Sequence, residues 1–202
     1  MKNRGLLLLD FFISHIQPYF VILRNVQVGL SLVMRVFLST VFLGEKTMNN
    51  KTHIGVIGAG DCPVEIYKTS YDVGHFIGEK GWVLICGGLG GVMEGAAKGC
   101  FERGGITVGL LPGTQKESAN PYITLAIPTG MGEARNVLVV RASDVVIAIA
   151  GGYGTLSEIG LALKIGKPVI GLGTWRDIDA VDYVETPHQA IARAGAYLRG
   201  KE

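Results

Sequence analysis

Three cysteines in 202 residues, Cys62, Cys86 and Cys100, form no C-x-x-C pair. An odd, unpaired set suggests neither a disulfide framework nor a zinc site, and it points to a reducing, cytoplasmic setting. Cys86 is expected at the end of a buried strand and Cys100 on a packed helix. Cys62 precedes a helix start, where a thiolate is favoured, but no histidine stands at a spacing that would make it a nucleophile. His53, His75 and His188 are scattered, so no metal site is expected. Charge of one sign is equally scarce: 19 Lys+Arg against 17 Asp+Glu leave +2. That is too little for a broad basic field, so nucleic acid is not an expected partner.

Long apolar runs are missing too, even where the chain is richest in them. Residues 1–47 hold five of the seven Phe, no Ala, five basic and two acidic residues. A spanning helix needs about 18 or more apolar residues. Here the longest stretch free of Asp, Glu, Lys and Arg is Phe11 to Leu23, which contains Pro18. Asp10 breaks the Leu6 to Leu9 run and no Ala-x-Ala site follows, which fits a signal peptide poorly. Three readings suit this leader: a translated stretch upstream of a true start at Met48, a membrane-associating extension, or an extra packed element. A membrane partner is expected only under the second. Residues 48–202 form the expected functional domain and hold 27 of the 30 Gly.

From His53 onward, short apolar runs alternate with helical stretches, the pattern of a parallel α/β sheet. Strands are expected at His53 to Ile57, Trp82 to Cys86, Ile106 to Leu111, Thr124 to Ile127, Asp144 to Ile149 and Pro168 to Leu172. Several are apolar without alternation, as in a strand buried on both faces. Helices are expected at Val64 to Lys80, Val92 to Arg103, Glu133 to Ala142, Thr155 to Ile165 and Pro187 to Arg199. The last has Thr186 as N-cap, Pro187 at the first position and Gln189 to complete a capping box. The reading is α/β: a single doubly wound parallel sheet with helices on both faces.

Three glycine-rich segments follow strands, and ligands bind at the carboxyl ends of strands in open α/β sheets. The first, Gly58-Ala59-Gly60-Asp61-Cys62-Pro63, begins like a dinucleotide fingerprint. Pro63 takes the place of the third Gly, however, and the second strand ends in Cys86-Gly87 rather than in an acidic residue, which disfavours NAD. No G-x-x-x-x-G-K-[ST] string occurs, which disfavours a P-loop NTPase. The second segment, Gly87-Gly88-Leu89-Gly90-Gly91, runs into a helix whose first turn carries Glu94, a candidate contact to a polar ligand edge or a stabiliser of its helix start. The third, Gly151-Gly152-Tyr153-Gly154-Thr155, repeats the arrangement. Two glycine-rich helix starts offer backbone N–H groups to an anion, so the expected partner is a small phosphate-bearing ligand.

Gly151-Gly152-Tyr153-Gly154-Thr155-x-x-Glu158 resembles the P-G-G-x-G-T-x-x-E signature of the Lonely Guy proteins, once labelled "lysine decarboxylase". These are phosphoribohydrolases that release cytokinin bases from riboside 5′-monophosphates. Met131-Gly132-Glu133-Ala134-Arg135-Asn136 resembles the family's M-x-E-R-K segment. Ala150 stands for the signature Pro, Ala134 separates Glu133 from Arg135, and Asn136 stands for Lys. The strings G-E-A-R-N, G-T-L-S-E and A-L-K-I-G-K-P-V are closer to a sister branch of the same Rossmann-like superfamily, which includes the molybdenum cofactor carrier proteins and relatives linked to DprA.

The resemblance implies a Rossmann-like fold, homo-oligomers, and a nucleotide or molybdopterin-type ligand held by the glycine loops with Arg135 and Asn136. No other cofactor is required. If the chain is an enzyme, the resemblance assigns catalysis to Glu158 as base and Arg135 as the cation, for hydrolysis of an N-glycosidic bond. Glu158 lies one turn into its helix, where the macrodipole favours the ionised carboxylate. In a carrier, the same loops and Arg135 hold phosphate and no chemistry follows.

Overall fold

The computed structural model describes residues 51–200; the expected leader, residues 1–47, lies outside them. The apolar runs form seven strands: β1 His53–Gly58, β2 Val83–Cys86, β3 Ile106–Leu111, β4 Leu125–Pro128, β5 Val145–Ile149, β6 Val169–Leu172 and β7 Val181–Val184. They pair in the order β4-β3-β2-β1-β5-β6-β7, and every pair is parallel. The helices are α1 Val64–Glu79, α2 Val92–Glu102, α3 Asn136–Ala142, α4 Tyr153–Lys164 and α5 Pro187–Arg199.

Strands β2, β5 and β6 are buried along their whole length, because helices cover both faces of the sheet there. On one face Ile54, Val56, Leu84, Ile147 and Ile170 pack against Val73 and Ile77 of α1, Ala96 of α2 and Ala194 of α5. On the other, Ile57, Ile85, Val146 and Val169 meet Val139 and Val140 of α3 and Ile159 and Ala162 of α4. Among the described residues no helix is long and apolar enough to cross a membrane.

Helices α1 and α2 approach so closely that glycine is required between them. A methyl at Gly74 would fall on the Ala96 carbonyl, one at Gly99 on the Tyr71 carbonyl, and one at Gly95 on the Ser70 hydroxyl. This contact fixes where α2 begins, and so where the second glycine loop runs.

Two elements differ from the sequence expectation. β7 is a seventh strand, at the edge of the sheet: only its two valines are buried, Val181 on one face and Val184 on the other, so the segment carries no continuous apolar run. The stretch expected as one helix from Glu133 to Ala142 is a 3-10 turn, Gly132–Arg135, followed by α3. The Thr186 capping box forms as expected, with both reciprocal hydrogen bonds present.

Strand order runs outward from β1 through β2, β3 and β4, then resumes on the other side of β1 with β5. The carboxyl ends of β1 and β5 therefore flank a topological switch point, where connecting loops diverge and leave a crevice.

Candidate functional site

The crevice at that switch point has a volume of about 500 Å³. The end of β1 supplies Gly58, Ala59 and Gly60, the loop after β2 supplies Gly87 and Leu89, and α2 adds Met93. The turn before α3 contributes Glu133, Arg135 and Asn136, and the start of α4 contributes Gly152, Gly154, Thr155 and Glu158.

The first two glycine loops pack on each other, backbone to backbone. Val92 N–H donates to the Ala59 carbonyl at 3.0 Å, and a Cβ at Gly90 would stand 3.0 Å from the Gly60 carbonyl. Gly91 has φ +60° and its hydrogens face the Ala59 and Gly60 backbone. Gly88, at φ +75°, is closed in by Leu111 and Gly109. Gly88, Gly90 and Gly91 are thus placed outside the lining. Glu94 is outside it as well, accepting a hydrogen bond from the Tyr67 hydroxyl at 3.4 Å.

The third loop is open. A Cβ at Gly152 or Gly154 would meet nothing within 4 Å, and both glycines line the crevice at the N-terminus of α4, a 12-residue helix. Gly151 is different: its φ of +100° and the adjacent Thr155 side chain both require glycine. Tyr153 is outside the lining and 82% exposed, with its ring 5.7 Å from that of Trp175. Trp175 in turn donates its indole N–H to the Gly152 carbonyl at 3.1 Å, pinning the loop. Sequence reasoning passed over Trp175, whose role depends on a loop brought back from β6. It also passed over Met93 and Leu89, which read as ordinary core residues.

Ala150, just ahead of the third loop, has φ +46°. Its N–H donates to Leu172 O at 3.3 Å and its carbonyl accepts from the Thr174 hydroxyl at 2.6 Å. Proline can adopt neither that φ nor that hydrogen bond. The departure from the Lonely Guy signature at this position is therefore a different turn, and its left-handed backbone stores strain beside the crevice.

Arg135 and Glu158 form the floor. Arg135 Nη1 and Glu158 Oε1 are 3.7 Å apart, and each side chain is 9% exposed. The guanidinium lies against Gly87, where any side chain would strike it and Met93 Sδ. Arg135 Nε is buried without a hydrogen-bond partner, and among the described residues the side chain makes none. A buried cation left so incompletely paired is costly. Burial pushes the Glu158 carboxyl up to about 7, against the lowering influence of Arg135. This corrects the expectation of a readily ionised carboxylate: desolvation by the packed floor outweighs the helix dipole. Asn136 donates to the Ser157 hydroxyl at 3.3 Å, linking the turn to α4. Among the described residues no group of three or more His, Cys, Asp or Glu is arranged to hold a metal ion.

Residues 51–196 match the model of the SLOG cluster4 family. An uncharacterised protein of Archaeoglobus fulgidus is 51% identical over 138 residues, 68% of this chain and 91% of that protein. A cytokinin riboside 5′-monophosphate phosphoribohydrolase of Mycobacterium tuberculosis is 30% identical over 135 residues, 61% of this chain and 71% of the other. Among solved structures, the molybdenum cofactor binding protein of Rippkaea orientalis superposes with a TM-score of 0.70 at 36% identity, covering 74% of this chain and 99% of that one. The molybdenum cofactor carrier protein of Chlamydomonas reinhardtii gives 0.67 at 34% identity, with the same coverage.

Proposed function

The chain belongs to the SLOG cluster4 family, and from that premise we propose that it binds a phosphate-bearing pterin or nucleotide in the crevice and carries it intact. The observation that carries this reading is Arg135: a guanidinium nine-tenths buried, without a hydrogen bond among the described residues, beside a helix N-terminus whose Gly152 and Gly154 face open space. A phosphate there would accept from the free N–H groups of α4 and from the Arg135 fork, satisfying donors that the protein leaves unpaired. Leu89 and Met93 supply an apolar wall for a ring, and the volume suits a mononucleotide or pterin. A molybdopterin would be cargo, held through its phosphate and ring by these residues.

Residues 48–202 are the binding domain in this reading, and its setting is cytoplasmic, which three free cysteines support. Homo-oligomeric assembly is supported by an apolar sheet face: Ile106, Leu125 and Ile127 are exposed at the β3–β4 end.

The test is thermal denaturation with AMP, other mononucleotides and pterin phosphates. A ligand bound only by the native state at 100 times its Kd adds about 2.7 kcal/mol, roughly 5 to 10 °C for a domain of this size. Arg135→Ala is expected to remove the shift. No shift with any of these ligands would defeat the proposal.

One observation favours a second reading, hydrolysis of a nucleoside 5′-monophosphate. A carboxyl pushed to about 7 inside the crevice is suited to proton transfer near neutrality. Water would add to the ribose C1′ as the glycosidic bond breaks, and the base would leave with a proton. Release of free base by the native protein, lost in Glu158→Gln, would favour this reading over the carrier.

A further inference from the structure

Among the described residues the lining of the crevice has one cation, Arg135, and two carboxylates, Glu133 and Glu158. That count is the reverse of what an anion site needs, since a phosphate placed there meets net negative charge. The conflict is concentrated in one buried pair. Arg135 Nη1 and Glu158 Oε1 stand 3.7 Å apart, too far for a hydrogen bond. Gly87 and Met93 close off another side of the guanidinium, so an anion that takes the Arg135 fork is brought close to Glu158. Two acidic groups held together in a desolvated site do not both stay ionised; one keeps a proton.

We infer that Glu158 is the resident counter-ion of Arg135 and releases it by taking a proton, so that the crevice takes up one proton with each phosphate-bearing anion it binds. The inference rests on the ligand reading above and deepens it. The proton passes from the buffer to a Glu158 carboxylate oxygen. The side chain becomes a neutral acid able to donate its O–H, and Arg135 keeps its full charge for the ligand. Glu158 acts here as a positioning residue, holding the guanidinium in place until the anion replaces it.

Among the described residues the groups that face Glu158 are few. Arg135 comes from the turn before α3, Glu133 from the same turn at the crevice edge, and Cys86 from the end of β2. The β1 loop and α2 bring only Gly58, Ala59, Gly60 and Met93 to the lining, and α4 itself carries no other charge before Lys164. The Cys86 thiol is pushed up to about 12 by burial, so it stays neutral throughout. Glu158, already at about 7, is therefore the group that a bound anion moves through neutrality.

The test is calorimetric titration of AMP, with neopterin monophosphate as second probe, into the full chain and into Glu158→Gln. Titrations at pH 6, 7 and 8 in two buffers of different ionisation enthalpy count the protons exchanged. The titration of the probe's own phosphate is common to both proteins and cancels in the comparison. Native protein is expected to take up close to one proton per ligand at pH 8, and to lose affinity about tenfold between pH 6 and pH 8 relative to the variant. Should the variant not fold, the native count at pH 8 decides alone, because a phosphomonoester with a second pKa near 6 is already a dianion there. Equal proton counts and parallel pH profiles, or no uptake by the native protein, would overturn the inference and leave the ligand reading intact. Failure of both probes to bind either protein at any pH would sink the ligand reading and this inference with it.

Discussion

Along the contact between α1 and α2, a methyl at Gly74 or Gly99 would land on a backbone carbonyl, whereas at Gly152 and Gly154, on the rim of the crevice, it would meet nothing within 4 Å. Glycine thus serves opposite ends in the two regions. Between the helices its lack of a side chain is used up by the protein's own packing. At the start of α4 no described residue uses it, and the free space adjoins Arg135, a buried guanidinium without hydrogen bonds among the described residues. Open space alone does not set Gly152 and Gly154 apart, since Gly160 and Gly166 also meet nothing within 4 Å; what does is that they line the crevice together with Arg135.

The largest effect is expected where packing is tightest. Gly99→Ala places a methyl on rigid backbone, and a helix pair cannot yield as a flexible side chain would. A loss of about 3 kcal/mol or more is expected, read as a fall of roughly 6 to 12 °C in Tm or as failure to fold. A wild-type Tm for Gly99→Ala would break the comparison on its packed side.

Gly87 stands between the two regions. A methyl there would meet the Arg135 guanidinium and Met93 Sδ, 2.7 Å away, and both are side chains that can shift. Gly87→Ala is expected to cost about 1 to 2 kcal/mol and to weaken AMP binding by tenfold or more, because the displaced cation is the one assigned to the phosphate. Denaturant titration and calorimetry on the same preparation measure both.

The Glu158 carboxyl links the crevice to stability through pH. Its native pKa, about 7, lies above the ordinary value of 4.5, so the native state holds a proton that the unfolded chain has released. Its contribution to stability is complete below about pH 4.5 and is lost as pH rises through 7. Between pH 4.5 and 8 the native protein should lose on the order of 3 kcal/mol more than Glu158→Gln. Urea unfolding across that range checks this, and parallel curves would show that the carboxyl titrates normally.

At Ala150 two substitutions are expected to act in opposite directions, because glycine adopts its φ of +46° without strain. Ala150→Gly should gain up to about 1 kcal/mol, whereas Ala150→Pro should lose about 3 kcal/mol or more because it also removes the N–H to Leu172. Equal Tm values for the two would mean that the turn is not strained as described.

Much of the fold was legible because buried parallel strands are continuous apolar runs. Val145 to Ile149 could be read as a strand without knowing its neighbours. Val181 to Val184 could not, since this edge strand carries the incompletely buried Asp182 and Tyr183 between its two valines and lacks that run. The junction at Arg135 was hidden for a related reason: Glu133 to Ala142 is compatible with one helix, and only the tertiary demand on Arg135 breaks it into a turn and α3. Within the site, the glycine loops and the Arg135–Glu158 pair were visible in the spacing and in the resemblance. The different fates of the second and third loops were not. Whether a glycine faces another loop or open space depends on α1 and α2 closing on each other, a contact made by Gly74, Gly95 and Gly99 that no local pattern announces. The protonation of Glu158 was misjudged for the same reason, because the dipole of its own helix is a local property and its desolvation is not.

The most direct test of the central claim, that the open glycines mark a ligand site, is calorimetric binding of AMP and neopterin monophosphate to native protein and to Gly154→Ala. The substitution fills free space in the first turn of α4, so the variant should be as stable as the native protein or up to about 1 kcal/mol more stable. Its affinity should nevertheless fall by about tenfold, equivalent to about 1.4 kcal/mol of binding. A variant that folds well and binds as tightly as the native protein would contradict the account.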